Sequence, residues 1–151
     1  MIRPATNADG PVIRRIVYGI LREFGLKPDP AGTDADLEDI QRNYISGGGG
    51  FYALEEDGRV VGCVGFIAKT AGECELRKMY LLPEFRGQGR GRAMLDHAVS
   101  EAKRLGFRRI VLETASVLKT ARIMYERHGF REIKLEHKTD RCDRAMYLDL
   151  E

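Results

Sequence analysis

The sequence predicts an α/β domain built on a mixed sheet, and three patterns carry that prediction. Apolar residues recur at helical spacing near the start of the chain and again past its middle. Strand-like runs flank an Asp57-Gly58 turn, and a glycine-rich turn joins a strand to a helix that a further apolar strand follows. With 151 residues the chain has the length of one domain, residues 1–151, able to bury about two-thirds of its unfolded surface.

Each element has a local reason. Residues 2–5 read as a short strand, after which Asn7 or Asp9 caps a helix carrying Val12, Ile13, Ile16, Val17, Ile20, Leu21 and Phe24 on one face and ending near Gly25. Residues 27–32 are loop chemistry. Thr33 and Asp36 resemble a cap for a second, shorter helix with Leu37, Ile40 and Tyr44. Gly47 to Gly50 then break the chain and read as a plain linker.

Residues 51–55, 59–68 and 73–82 form three strands of an antiparallel meander, with Asp57-Gly58 as a two-residue hairpin turn and Thr70-Ala71-Gly72 as the second turn. A helix with Leu95, Ala98, Val99, Ala102 and Leu105 on one face stops at Gly106, and Ile110-Val111-Leu112 is a buried strand. Strand, helix, strand in that order predicts a right-handed parallel crossover. Leu118, Ala121, Met124 and Tyr125 mark a further helix ended by Gly129, before a strand from Phe130 and a last strand over 145–150.

Composition narrows the function classes. The 25 basic and 23 acidic residues nearly cancel to +2, so no broad field draws a nucleic acid, and no apolar run approaches the length of a bilayer span. The start, Met1 to Thr6, lacks a signal-peptide apolar core, so a cytoplasmic location with no membrane partner is expected. Cys63, Cys74 and Cys142 are odd in number and show no Cys-x-x-Cys spacing, and His97, His128 and His137 are scattered; reduced thiols and no metal site follow. The oligomeric state stays open, a homodimer being one option.

The chemistry concentrates in Arg86-Gly87-Gln88-Gly89-Arg90-Gly91-Arg92, between a strand and a helix. Alternate glycines let backbone N–H groups converge on an anion at the positive end of a helix, and three arginines add charge. No Lys-Ser or Lys-Thr follows, which excludes a P-loop. Counting from Gly87, Arg92 occupies the third glycine position of a dinucleotide fingerprint, and the preceding meander is wrong for a Rossmann half.

The run Arg86-Gly87-Gln88-Gly89-Arg90-Gly91 resembles the Gln/Arg-x-x-Gly-x-Gly/Ala motif of the GNAT superfamily of acetyltransferases. Leu81-Leu82-Pro83-Glu84-Phe85 resembles the family's approach to that loop, and Tyr125-Glu126-Arg127-His128-Gly129-Phe130 its late Tyr-x-x-x-Gly-Phe signature. The strand order fits from Ile2 to Leu150. The resemblance implies a GNAT-like fold and transfer of an acetyl group from acetyl-CoA to the primary amine of a small molecule or peptide.

The same resemblance implies that the sheet splays between the strand ending at Leu82 and the strand over 109–114. Pantetheine would fill the gap, paired with the backbone of Leu81 and Leu82, and a bulge would aim the Leu81 N–H at the thioester oxygen. The pyrophosphate would lie against residues 86–92. Leu118 stands where many members carry a cofactor-binding asparagine.

Glu75 matches the general base of the histone-acetylating branch, and Tyr125 the tyrosine that protonates the departing thiolate. For Glu75 a solvated charge ladder with Glu73 and Arg77 is the alternative, and for Tyr125 a core aromatic. Arg77, on the face of Glu75, is a candidate for an acceptor carboxylate. The acidic residues Asp34, Asp36, Glu38 and Asp39 either favour a cationic acceptor or complement a helix N-terminus. No Cys/His pairing supports an acetyl-cysteine route, so direct transfer in a ternary complex is expected. A non-catalytic acetyl-CoA-binding module is the competing reading.

Overall fold

The computed structural model describes residues 1–139 and 141–151. In chain order it contains β1 (Ile2–Pro4), α1 (Gly10–Glu23), β2 (Gly50–Glu56), β3 (Arg59–Thr70), β4 (Glu73–Leu81), α2 (Arg90–Arg104), β5 (Arg109–Thr114), α3 (Lys119–His128), β6 (Arg131–Ile133) and β7 (Arg144–Asp149). The strands form one sheet in the order β1-β2-β3-β4-β5-β7-β6. Every pairing is antiparallel except β4 with β5.

The period-two alternation of the strands sorts the core into two layers. Phe51, Ala53, Val60 and Cys63 face α1 and bury Ile13, Val17, Ile20 and Leu21 with it. Tyr52, Val64, Phe66, Cys74 and Leu76 face the opposite way and pack with Met94, Leu95 and Ala98 of α2 and Tyr125 of α3. Ahead of α1, the Asp9 carboxylate accepts the Thr6 N–H at 2.8 Å and also ion-pairs with Arg3, fixing the entry of the chain into the helix. Asp57 and Gly58 both have positive φ, 52° and 76°, as a two-residue hairpin turn requires.

The expected second helix is instead two separate turns, a 3₁₀ turn over Ala35–Glu38 and a wide turn over Gln41–Ile45. Asp39 breaks the path: its backbone leaves the helical region and its carboxylate accepts the Arg42 N–H at 3.0 Å. Leu37, Ile40 and Tyr44 are nonetheless buried as their spacing predicts.

The glycine tract is more than a linker. The Gly49 N–H donates to the Tyr44 carbonyl at 2.9 Å, and a Cβ at Gly49 would stand 2.0 Å from the Phe66 carbonyl oxygen of β3. Gly50 already belongs to β2.

The sheet opens on its α1 side as well as its α2 side between β4 and β5. These strands pair only from Glu73↔Arg109 to Leu76↔Leu112, whereas β4 stays with β3 as far as Leu81↔Gly62 and β5 stays with β7 as far as Thr114↔Arg144. A bulge marks the point of divergence: Arg77 to Tyr80 on β4 oppose only Gly65 to Cys63 on β3, and Lys78 adopts a φ of 56°.

Gly49→Ala should therefore destabilise the protein by about 1–3 kcal/mol through overpacking against β3. Gly47→Ala, whose Cβ would approach nothing nearer than 4.0 Å, should be close to neutral. Urea unfolding of the two variants checks this, and equal midpoints would contradict it.

Candidate active site

A cavity occupies the gap between the diverging strands. Its walls include Arg77 to Tyr80 of β4, Leu112 to Thr114 of β5, Leu118, Ala121 and Tyr125, and Arg141 and Cys142 from the loop between β6 and β7. The open edge of β4 offers backbone groups. Leu82 donates its N–H to Val61 at 2.9 Å and its carbonyl accepts from Phe85 at 3.0 Å, so the Leu82 N–H is already taken by β3. Alternation along the strand then turns the N–H groups of Leu81 and Met79 away from β3 and towards the gap. The bulge lies at Lys78, so the N–H that it re-aims is that of Met79, with Leu81 one pleat further along.

Beyond β4 a short turn, Pro83–Phe85, leads into the glycine loop. Gly87 and Gly89 have φ of 78° and 84°, and a Cβ on either would meet no atom within 4 Å. Gly89 is also the N-cap of α2, so the free N–H groups of the first helical turn open onto that empty space.

The arginines of this loop behave differently from one another. Arg86 donates to both carboxylate oxygens of Glu23 at 2.7 and 3.0 Å and to the Leu81 carbonyl at 2.9 Å, tying the end of α1 to the loop. Arg90 donates to Glu56 and to Gln88, each at 2.6 Å. Both are held by close carboxylates, whereas Arg92, with its side chain 80% exposed, has only a loose pair with Asp96 at 3.9 Å. The sequence pattern places three cations beside the loop; in the structure two of them are closely paired with Glu23 and Glu56 and the third, Arg92, is the most exposed.

Tyr125 is buried against Phe130, with ring centroids 5.7 Å apart, and its hydroxyl lies 3.9 Å from the Met79 sulfur in the cavity wall. Burial pushes its phenol above the ordinary value, helped by nearby Tyr80, so the group stays protonated at neutral pH. Leu118 is the N-cap residue of α3 and gives the wall an apolar side chain without a capping hydrogen bond.

Glu75 is not a solvated ladder residue. It is only 7% exposed and accepts from Arg77 Nη2 at 3.0 Å. It sits one residue before the last paired position, Leu76, and so lies just below the cavity, which Arg77 lines. On β5, Glu113 stands two residues past Val111, the partner of Glu75, and lines the cavity directly.

An ion cluster on the α1 side, centred on Asp34, was not visible in the sequence. Asp34 is fully buried, accepts from Arg141 Nη1 and Nη2 at 2.6 and 3.0 Å, and lies 3.2 Å from Lys78 Nζ. Lys78 also reaches Asp36 at 3.3 Å, and Asp36 accepts the Tyr44 hydroxyl. Because the bulge puts Arg77 and Lys78 on one side, consecutive residues of β4 both meet this cluster, Arg77 at 3.9 Å from Asp36. The reading of Asp34 and Asp36 as helix-end acids gives way to this role. No local spacing could have revealed it, since Arg141 and Asp34 are 107 residues apart.

Burial acts to raise the Asp34 carboxyl, but the Arg141 hydrogen bonds, the Asp29 N–H and Lys78 outweigh it and hold the group below its ordinary value. A depressed carboxyl adds stability that is present above the unfolded value of about 3.9 and is lost as pH falls through the folded value. Asp34→Asn should cost about 3–5 kcal/mol at neutral pH, because Lys78 and Arg141 lose their buried partner. Its stability should also fall less steeply than that of the unmodified chain below about pH 4. Urea titrations at several pH values read both effects; parallel pH profiles would contradict the assignment.

Comparison with known proteins agrees with this geometry. Residues 15–130 match the acetyltransferase (GNAT) family. The chain is 37% identical over 138 residues to YjgM of Escherichia coli, named as an uncharacterized N-acetyltransferase, covering 88% of this chain and 83% of that protein. It superposes with a TM-score of 0.92 on a GNAT-family acetyltransferase from Staphylococcus aureus, at 27% identity and with 100% and 99% of the two chains covered. A GNAT phosphinothricin acetyltransferase from Sinorhizobium meliloti in complex with acetyl-CoA shares the fold at a TM-score of 0.79 and 22% identity, over 99% of this chain and 88% of that one. The chain belongs to the acetyltransferase (GNAT) family and is an acetyl-CoA-dependent acyltransferase.

Proposed function

We propose that the chain acts as one N-acetyltransferase domain, in the cytoplasm, moving acetyl from acetyl-CoA directly to a primary amine within a ternary complex. The observation that carries this reading is the opening between β4 and β5, which has an unpaired backbone edge on one wall, the glycine loop at its end and Tyr125 beside it. Pantetheine pairs with the Leu81 backbone, and the pyrophosphate meets the backbone of Gly87 to Gly91, with Arg92 as its cation. The residues present fit that cofactor: open space outside Gly87 and Gly89 admits a phosphate where any side chain would intrude.

The acceptor enters from the α1 side. Its neutral nitrogen attacks the thioester carbonyl, the C–N bond forms, and the negative oxygen is held by the Met79 N–H that the bulge re-aims. The amine's proton passes to Glu75, through a water that bridges the short distance below the cavity floor. As the C–S bond breaks, the Tyr125 hydroxyl gives its proton to sulfur. Arg77, paired with Glu75, remains beside the acceptor and is available to a polar group on it. A non-catalytic acetyl-CoA-binding module would need the glycine loop alone; the buried Glu75 and the cavity-lining Tyr125 favour the enzyme.

Coenzyme A should raise the melting temperature, and Gly89→Val should abolish that rise. Its cost to stability should be about 1–2 kcal/mol, the strain of a side chain at positive φ. An undiminished coenzyme A response would remove the phosphate site from this loop. Glu75→Gln should slow transfer by about 10²–10⁴ near neutral pH, with the loss shrinking at alkaline pH, where the amine deprotonates unaided. An effect found instead in Glu113→Gln would move the base to β5. Tyr125→Phe should keep cofactor affinity and lower kcat; wild-type turnover with chemistry rate-limiting would reject the general acid.

A further inference from the structure

The cavity wall on the acceptor side is unevenly charged. Arg77, Lys78 and Arg141 line it, whereas Glu113 is the one carboxylate among the described residues that does so. The carboxylates that neutralise those cations, Asp34, Asp36 and Glu75, stand behind them, outside the lining. A ligand in the gap therefore meets the cationic side of each pair first.

The three cations differ in what they have left to give. Lys78 Nζ donates to the Thr33 carbonyl at 3.3 Å and lies 3.2 and 3.3 Å from Asp34 and Asp36, two carboxylates that neutralise it away from the cavity. Arg77 donates Nε–H and one Nη2 hydrogen to Glu75 and has Nη1 3.9 Å from Asp36, so it stands between two carboxylates that neutralise it. Arg141 spends one hydrogen of each terminal nitrogen on Asp34, which leaves Nε–H and two further N–H groups. Its side chain is only 15% exposed and is locked from behind by a fully buried carboxylate, so it presents a pre-positioned fork. Tyr80 lines the cavity next to it; burial raises that hydroxyl to about 12, so it too is a donor at neutral pH.

Resting on the acetyl-transfer reading above, we infer that the acceptor carries a carboxylate close to its amine, as an α-amino acid does, and that Arg141 receives that carboxylate with Tyr80 beside it. The amine is then held on the side of Glu75 and Glu113, and the apolar wall of Leu21 and Leu26 is left for the acceptor's side chain. Asp34 acts behind Arg141 as a positioning residue. The loop between β6 and β7 thus supplies a specificity residue, reached from the far end of the chain.

The test pairs acceptors that differ in one charge: L-alanine against L-alaninamide, and L-phenylalanine against L-phenylalaninamide. Thiol release gives kcat/KM for each, and calorimetry of the same compounds with the coenzyme A complex reads binding without turnover. The amide is the weaker base and has more neutral amine at neutral pH, so a preference for the acid cannot come from amine protonation. The unmodified chain should prefer the carboxylate by about tenfold or more in both readouts, the scale of a charge-assisted pair. Arg141→Gln should bring the ratio near one, and Arg141→Lys should restore part of it. The coenzyme A melting shift should stay in place in both, showing that the variants are folded. Turnover or binding that is indifferent to the carboxylate, or a ratio that survives in Arg141→Gln, would overturn the site while leaving acetyl transfer intact. Carboxylate-selective binding without transfer to any amine would sustain the site and retract the transfer reading instead.

Discussion

The buried pair of Lys78 with Asp34 is the constraint on which the site depends. Lys78 occupies the bulge of β4 at a φ of 56°, a conformation that a side chain adopts only when its surroundings hold it there. Asp34 and Asp36 supply that hold at 3.2 and 3.3 Å, and the Cys63 thiol donates to the Lys78 carbonyl at 3.2 Å. With the bulge fixed, β4 leaves β5 after Leu76, the Met79 N–H turns into the gap, and Arg77 and Lys78 both face the acceptor side. Removing one partner leaves a buried charge uncompensated, so the pair sets the geometry more than it adds net stability.

From that point the two faces of the sheet divide the work. On the α2 and α3 face the gap is bounded by Met79, Leu118, Ala121 and Tyr125, an apolar surround in which a phenol keeps its proton. On the α1 face it is bounded by ion pairs in which cations stand forward and carboxylates behind. Arg86 links the two by joining Glu23 at the end of α1 to the Leu81 carbonyl and the glycine loop. One guanidinium thus ties the end of α1 to the end of β4 and the loop at 86–92.

Most of the fold was legible because it rests on short-range patterns. Helical spacing in α1 and α2, the Asp57-Gly58 turn and the alternation of β2 to β4 each depend on neighbours within a few residues. The glycine loop was legible for the same reason. What was missed depends on chain segments that meet only after folding: Asp34 with Arg141 and Lys78, Glu23 with Arg86, and Glu56 with Arg90. The second helix failed because the Asp39 carboxylate takes the Arg42 N–H, and the glycine tract was undervalued because the close approach of Gly49 to Phe66 is a tertiary contact. Spacing left a surface ladder open as the alternative at Glu75 and did not show that Arg86 and Arg90 pair with Glu23 and Glu56, because it says nothing about partners across the fold.

On the proposed reading, acetyl-CoA docks as a missing strand on the exposed backbone edge of β4 past the bulge. Amide hydrogen exchange of the free protein and of its coenzyme A complex, resolved to single residues, tests it most directly. The Leu81 and Met79 amides should gain protection on binding, together with those of Gly87 to Gly91, while Leu82, already bonded to Val61, should change little. Protection confined to the glycine loop, with Leu81 and Met79 exchanging as fast as before, would contradict it.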